Sequence, residues 1–137
     1  MTRWLPAGAM LLGAAAVLGG SPSGFSFVLA AVLLVLALGF SPLVFPRSPG
    51  DEGGRRLAAE RHVPLVYWRP GCSYCFRLRL ALGLRGSRAV WVDVSRDERA
   101  SLRVRAHNAG DETVPTVWLP DGEVRTNPDP AWVRAAL

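Results

Sequence analysis

The sequence predicts an α/β domain built on a mixed four-stranded sheet, preceded by two apolar helices. Three observations predict it. From residue 62 onward, short β-rich runs and helical periods follow one another in the order β-α-β-α-β-β-α. A lone Cys-x-x-Cys, Cys72 and Cys75, stands where the first of those strands meets the first of those helices. Between Trp4 and Pro46 there is no charged side chain, whereas all 11 acidic residues and every Arg except Arg3 lie at or after position 47.

The uncharged third holds two apolar runs, Leu5–Gly20 and Phe25–Phe45, joined by Ser21-Pro22-Ser23-Gly24. A spanning helix needs about 20 apolar residues, so the second run reads as a transmembrane helix and the first as a shorter partner anchored by Trp4. The expectation is a transmembrane hairpin over residues 1–46, with helices at about 5–20 and 25–45. Small residues at Ala9/Gly13, Ala15/Gly19 and Ala16/Gly20 are expected to let the two backbones approach. A cleaved signal peptide, with Arg3 as its charged start, is the alternative reading of the first run. With both helices retained, Arg3 and the Arg47, Arg55 and Arg56 group flank the same side. The positive-inside rule then expects a multi-pass protein of the cell membrane, in contact with membrane lipid, with its folded domain in the cytoplasm.

Residues 47–61 carry Pro49, Gly50, Gly53 and Gly54 among charges and read as a linker. The folded domain is expected over 62–137. Val63 to Trp68 is a short apolar run that reads as a buried strand, with Pro64 at its start. Ser73 to about Arg85 reads as a helix with Phe76, Leu80 and Leu84 as its apolar stripe and Gly86 ending it. Ala89 to Val94 is the second strand. Ser95-Arg96-Asp97-Glu98 matches a capping box, opening a helix with Leu102 and Ala106 on its buried side and Asn108-Ala109-Gly110 at its end. Val114 to Leu119 is the third strand, and Pro120-Asp121-Gly122 turns into a fourth over Glu123–Thr126. Asp129 and Pro130 open a last helix.

All 16 basic residues are Arg, the formal net charge is +5 and the pI is about 10.5. From residue 47 on, 15 Arg stand against 11 acidic residues, a mildly basic domain without a polybasic tail, so no nucleic-acid partner is expected. The two cysteines are too close in sequence for a structural cross-link, which restrains little when its loop is this short. Their spacing points to reactive sulfur. A thiol at the start of a helix meets unpaired N–H groups and the positive end of the macrodipole, which favour its thiolate. Cys72 is therefore the candidate nucleophile, and Cys75, one turn further in, the candidate resolving thiol. Arg69 is a candidate for added positive potential or for holding a substrate carboxylate. A zinc site needs four ligands, and His62 and His107 lack the spacing to complete one, so no metal is expected. Thr113-Val114-Pro115, just before a strand, is the second candidate element. A cis bond there turns the backbone of Val114 outward, where it can pair with an extended ligand.

The run Val66-Tyr67-Trp68-Arg69-Pro70-Gly71-Cys72-Ser73-Tyr74-Cys75 resembles the first strand and active site of the glutaredoxin branch of the thioredoxin superfamily, mycoredoxins above all. Thr113-Val114-Pro115-Thr116-Val117 resembles the family's cis-proline segment, and Asp121-Gly122 with Thr126-Asn127-Pro128 resembles the mycoredoxin ending. The resemblance covers about Val63–Leu137. It implies a thioredoxin-like fold and a thiol–disulfide oxidoreductase acting on mixed or protein disulfides. It also implies attack by Cys72, resolution by Cys75, and a low-molecular-weight thiol site lined by Arg69, Tyr74, Val114, Pro115, Thr126 and Asn127. Glutaredoxins proper carry Gly-Gly near the fourth strand and an Asp at the start of the last helix. Asp121-Gly122 and Thr126-Asn127 stand here instead, so mycothiol rather than glutathione is the expected co-substrate. Two further readings stay open on sequence grounds. One is a membrane-tethered binding module without catalysis; the other is an extracytoplasmic thiol oxidant, which needs the opposite topology.

Overall fold

A computed structural model describes residues 5–20, 23–39 and 47–137 of the 137-residue chain. The chain divides into two compact units, residues 1–46 and 47–137.

The first unit contains α1 (Leu5–Gly19) and α2 (Gly24–Gly39). These have 15 and 16 residues, and no helix among the described residues is long and apolar enough to cross a membrane. The expected transmembrane hairpin is therefore not found among them. At 1.5 Å per residue each helix measures about 23 Å, against a hydrocarbon core of about 30 Å. The expected Trp4 anchor, the Ser21-Pro22 turn and the continuation of the second run through residues 40–45 lie outside the described residues. Of the small residues expected to allow the close approach, Gly13 takes part and the others do not. Ala14, Ala30 and Ala37 are buried and Gly13 faces Leu33, whereas Ala9, Ala15, Ala16, Gly19 and Gly20 are exposed. Both runs are apolar on every side, so composition does not select the packed face.

The second unit is a four-stranded sheet of order β2-β1-β3-β4, with β1 (Leu65–Trp68), β2 (Val90–Asp93), β3 (Thr116–Trp118) and β4 (Val124–Thr126). β1 runs parallel to β2 and antiparallel to β3, and β3 pairs antiparallel with β4. The helices are α3 (Gly50–Arg61), α4 (Ser73–Leu82), α5 (Glu98–His107) and α6 (Pro130–Ala135), with short 3-10 turns at Gly83–Ser87 and Val94–Arg96. The expected β-α-β-α-β-β-α order and the mixed sheet are present, an arrangement that fits a thioredoxin-like fold.

β1 is central, so both its faces are covered. Successive residues alternate between them. Tyr67 points toward α3 and α5, where its hydroxyl donates to Asp51. Val66 pairs with Trp91, whose indole N–H donates to the Gly86 carbonyl just beyond α4 at 2.8 Å. α3 packs with α5 and α4 with α6.

Three local expectations are corrected. Residues 50–61 form α3 rather than a linker, and this helix belongs to the core: Asp51, Gly54 and Ala58 are buried, and Gly54 lies so close to Val92 that no side chain fits between. Second, α5 is capped by Asp97, which accepts from the Arg99 and Ala100 N–H groups, and its buried residues are Ala100 and Val104 rather than Leu102 and Ala106. Ser95 instead donates to Asp93, which caps the preceding 3-10 turn. Third, α4 buries Cys75, Leu78 and Leu82, and its Phe76, Leu80 and Leu84 stripe faces outward. The helix stops at Gly83, three residues before the expected Gly86.

Candidate active site

Gly71 has a φ of 79°, a left-handed conformation that glycine adopts without strain, and it delivers the chain from β1 into α4. Cys72 is the N-cap residue of α4. Its sulfur accepts the Cys75 N–H at 3.3 Å, and its thiol lies 3.3 Å from the Val114 carbonyl oxygen as donor. The peptide-bond dipole aimed at the sulfur complements negative charge developing there. Cys72 is half-buried and Cys75 is fully buried; neither is in a disulfide. Burial, reinforced by the neighbouring Cys72 sulfur, pushes the Cys75 thiol well above the ordinary thiol range. The two sulfurs are thus unequal: one reachable and facing a helix start, the other dry and held protonated.

The Val114–Pro115 bond is cis, as expected, and sets Val114 against Cys72. The Asn127 N–H donates to the Pro115 carbonyl at 2.8 Å, so the chain leaving β4 lies beside the cis-proline loop. Asn127 has a φ of 47°, a left-handed turn that asparagine tolerates well. Tyr74 stands exposed on the first turn of α4 beside the Arg77 guanidinium.

Two of the expected binding residues are occupied otherwise. Arg69 pairs with Glu112 at 3.6 Å, and the Thr126 hydroxyl donates to the Asn108 side chain at 2.5 Å and touches the Thr116 hydroxyl at 3.3 Å. Glu112 and Asn108 were not expected from sequence. Glu112 joins Arg69, Arg105 and Ser101, tying the approach to the cysteines to the approach to the cis-proline. The Asn108 amide donates to the carbonyls of Val104 and Thr113 and to the Thr116 hydroxyl. Asn108 had signalled only the end of a helix. His62 ends α3 and His107 lies tilted against Trp118; among the described residues no group of three or more His, Cys, Asp or Glu could hold a metal ion.

Comparison with known proteins bears on this arrangement. The glutaredoxin family model matches residues 65–124. A Mycobacterium tuberculosis protein named as a glutaredoxin is 38% identical over 72 residues, which are 53% of this chain and 86% of that protein. The chain belongs to the glutaredoxin family. Mycoredoxin 1 of Corynebacterium glutamicum is 39% identical over 72 residues, 53% of this chain and 89% of that protein. As a glutaredoxin the chain is a thiol–disulfide oxidoreductase, and disulfide-containing molecules are its class of substrate. Glutaredoxins work with a low-molecular-weight thiol.

Proposed function

We propose that this glutaredoxin reduces mixed or protein disulfides through Cys72 and Cys75 and is regenerated by mycothiol. The observation that carries the assignment is the inequality of the two sulfurs at the α4 start, with Cys72 reachable and Cys75 buried. The Cys72 thiolate attacks one sulfur of the substrate disulfide; that S–S bond breaks, one thiolate leaves, and a mixed disulfide with Cys72 forms. Cys75 then loses its proton and attacks the Cys72 sulfur, releasing the second substrate thiol and closing a Cys72–Cys75 disulfide. Two molecules of a small thiol return the pair to the dithiol and leave as their own disulfide. Arg69, Tyr74, Val114, Pro115, Thr126 and Asn127 line the approach for that thiol. Mycothiol is favoured by the similarity to mycoredoxin 1 and by Thr126-Asn127 at the end of β4.

The test is turnover of a mycothiol mixed disulfide and of a glutathione mixed disulfide by the purified chain. Cys72→Ser is expected to abolish both activities, and the unsubstituted chain is expected to favour the mycothiol substrate at least about tenfold, a difference of 1.4 kcal/mol in transition-state binding. Activity surviving in Cys72→Ser, or a preference for glutathione, would overturn the respective half of the proposal.

We further propose that residues 5–45 hold the domain at the cytoplasmic face of a membrane. The support is apolar surface left uncovered: Leu12, Phe25, Phe27, Val28 and Val35 are all more than half exposed. Vesicle flotation of the full chain tests this.

A further inference from the structure

The apolar residues missing from the core of α4 stand together outside it. Phe76 is 39% exposed and Leu80 62%, one helical turn apart on the same side of α4, and Leu84, 94% exposed, follows in the 3-10 turn beyond Gly83. Three large apolar side chains within nine residues differ from the scattered exposed leucine of any surface. The charge around them has one sign. Residues 61–92 contain six Arg and no acidic residue, and α6, which packs against α4, adds Arg134. Among the described residues Arg77, Arg85 and Arg134 have no acidic partner within ion-pair distance; Arg134 donates instead to the Ala81 carbonyl at 2.6 Å, which keeps its charge beside the stripe.

We propose that this face of α4 docks on an anionic lipid bilayer. A row of Phe and Leu flanked by guanidinium groups is the pattern of a helix lying in the membrane interface, with the apolar side chains among the acyl chains and the cations at the headgroups. A second copy of the chain is the poorer occupant. A two-fold contact through this face sets Arg77, Arg85 and Arg134 of one copy against those of the other, whereas an anionic surface neutralises them. Because Cys72 caps the same helix, docking holds the reactive end of the protein beside the lipid surface, within reach of disulfides in membrane-bound proteins. The proposal rests on the α4 face alone, independent of the redox assignment and of how residues 5–45 meet a membrane.

The test uses the full chain carrying Leu84→Trp, a change the exposed site accepts without disturbing the core. It is mixed with vesicles containing brominated acyl chains, made of phosphatidylcholine alone or with phosphatidylglycerol. Emission added by L84W, taken as the difference from the unsubstituted chain, is expected to fall at least about twofold more in the phosphatidylglycerol vesicles. High salt is expected to remove that difference, since it shortens the screening length to about 3 Å at 1 M. Adding Arg77→Gln and Arg85→Gln to L84W is expected to remove it as well. Equal quenching in both vesicle types, or none in either, overturns the proposal. So does a concentration-dependent dimer whose formation alone shields the new indole. Flotation scored on the same samples separates the two membrane proposals: a chain that floats with its L84W emission unquenched retains the anchor and loses the docking face.

Discussion

Asp51 shows how one side chain joins three elements. Its carboxylate accepts from the Tyr67 hydroxyl and from the Arg103 guanidinium at 2.9 to 3.2 Å, linking α3, β1 and α5. Burial alone would raise this carboxyl, but the hydrogen bonds from Arg103 and Tyr67 outweigh burial and hold it below its ordinary value of 3.8. A carboxyl depressed in the folded state contributes stability that is full above its unfolded value and is lost as pH falls through the folded one. Asp51→Asn is therefore expected to cost about 2 kcal/mol at neutral pH. The difference should shrink steadily once the pH drops below about 4. Urea unfolding at pH 7 and pH 3 checks this, and an equal difference at both values would contradict it. None of this was readable beforehand, because Asp51 sits among glycines and charges that resemble a linker.

For helices and strands, the short apolar runs were legible because a central strand covered on both faces needs continuous hydrophobicity, which Leu65–Trp68 supplies. The cap of α6 by Asp129 was legible for the same local reason, its side chain accepting the Ala131 N–H at 2.7 Å. α3 was not. Gly53 and Gly54 argue against a helix by propensity, yet Gly54 is required by the contact with Val92, and tertiary packing overrides the local cost. Asp97 strengthens it further by accepting the Asp51 N–H at 2.6 Å while capping α5. A chain shortened to residues 47–137 is accordingly expected to unfold cooperatively near the full-length midpoint of its folded unit. One shortened to 62–137 should lose about 3 kcal/mol or fail to fold, since it forfeits the Asp51 bonds and the apolar contacts of Ala58. Circular dichroism during urea titration distinguishes the two, and equal midpoints would show α3 to be dispensable.

Across the whole chain the division at residues 46 and 47 separates an apolar unit, whose one charged side chain is Arg3, from the unit that carries the chemistry. The membrane proposal belongs here, as it depends on the summed apolar surface of α1 and α2 rather than on any one contact. The full chain is expected to float with vesicles in a density gradient and to resist extraction by salt. Recovery at the bottom of the gradient would refute retention by residues 5–45. Fragment 47–137, which keeps the α4 face, is expected to bind anionic vesicles weakly and salt-sensitively, because surface charge is screened where buried apolar chains are not.

From residue 62 onward the order of strands and helices and the position of Cys72 and Cys75 could be written down from residue order, since both depend on neighbours within a few positions. Which faces are buried could not. The α4 stripe of Phe76, Leu80 and Leu84 has the spacing of a core face, but the sheet lies against Leu78 and Leu82 instead. Helical periodicity states that one side of a helix is apolar; only contacts between residues far apart in the chain choose the side that meets the sheet and the side left for something else.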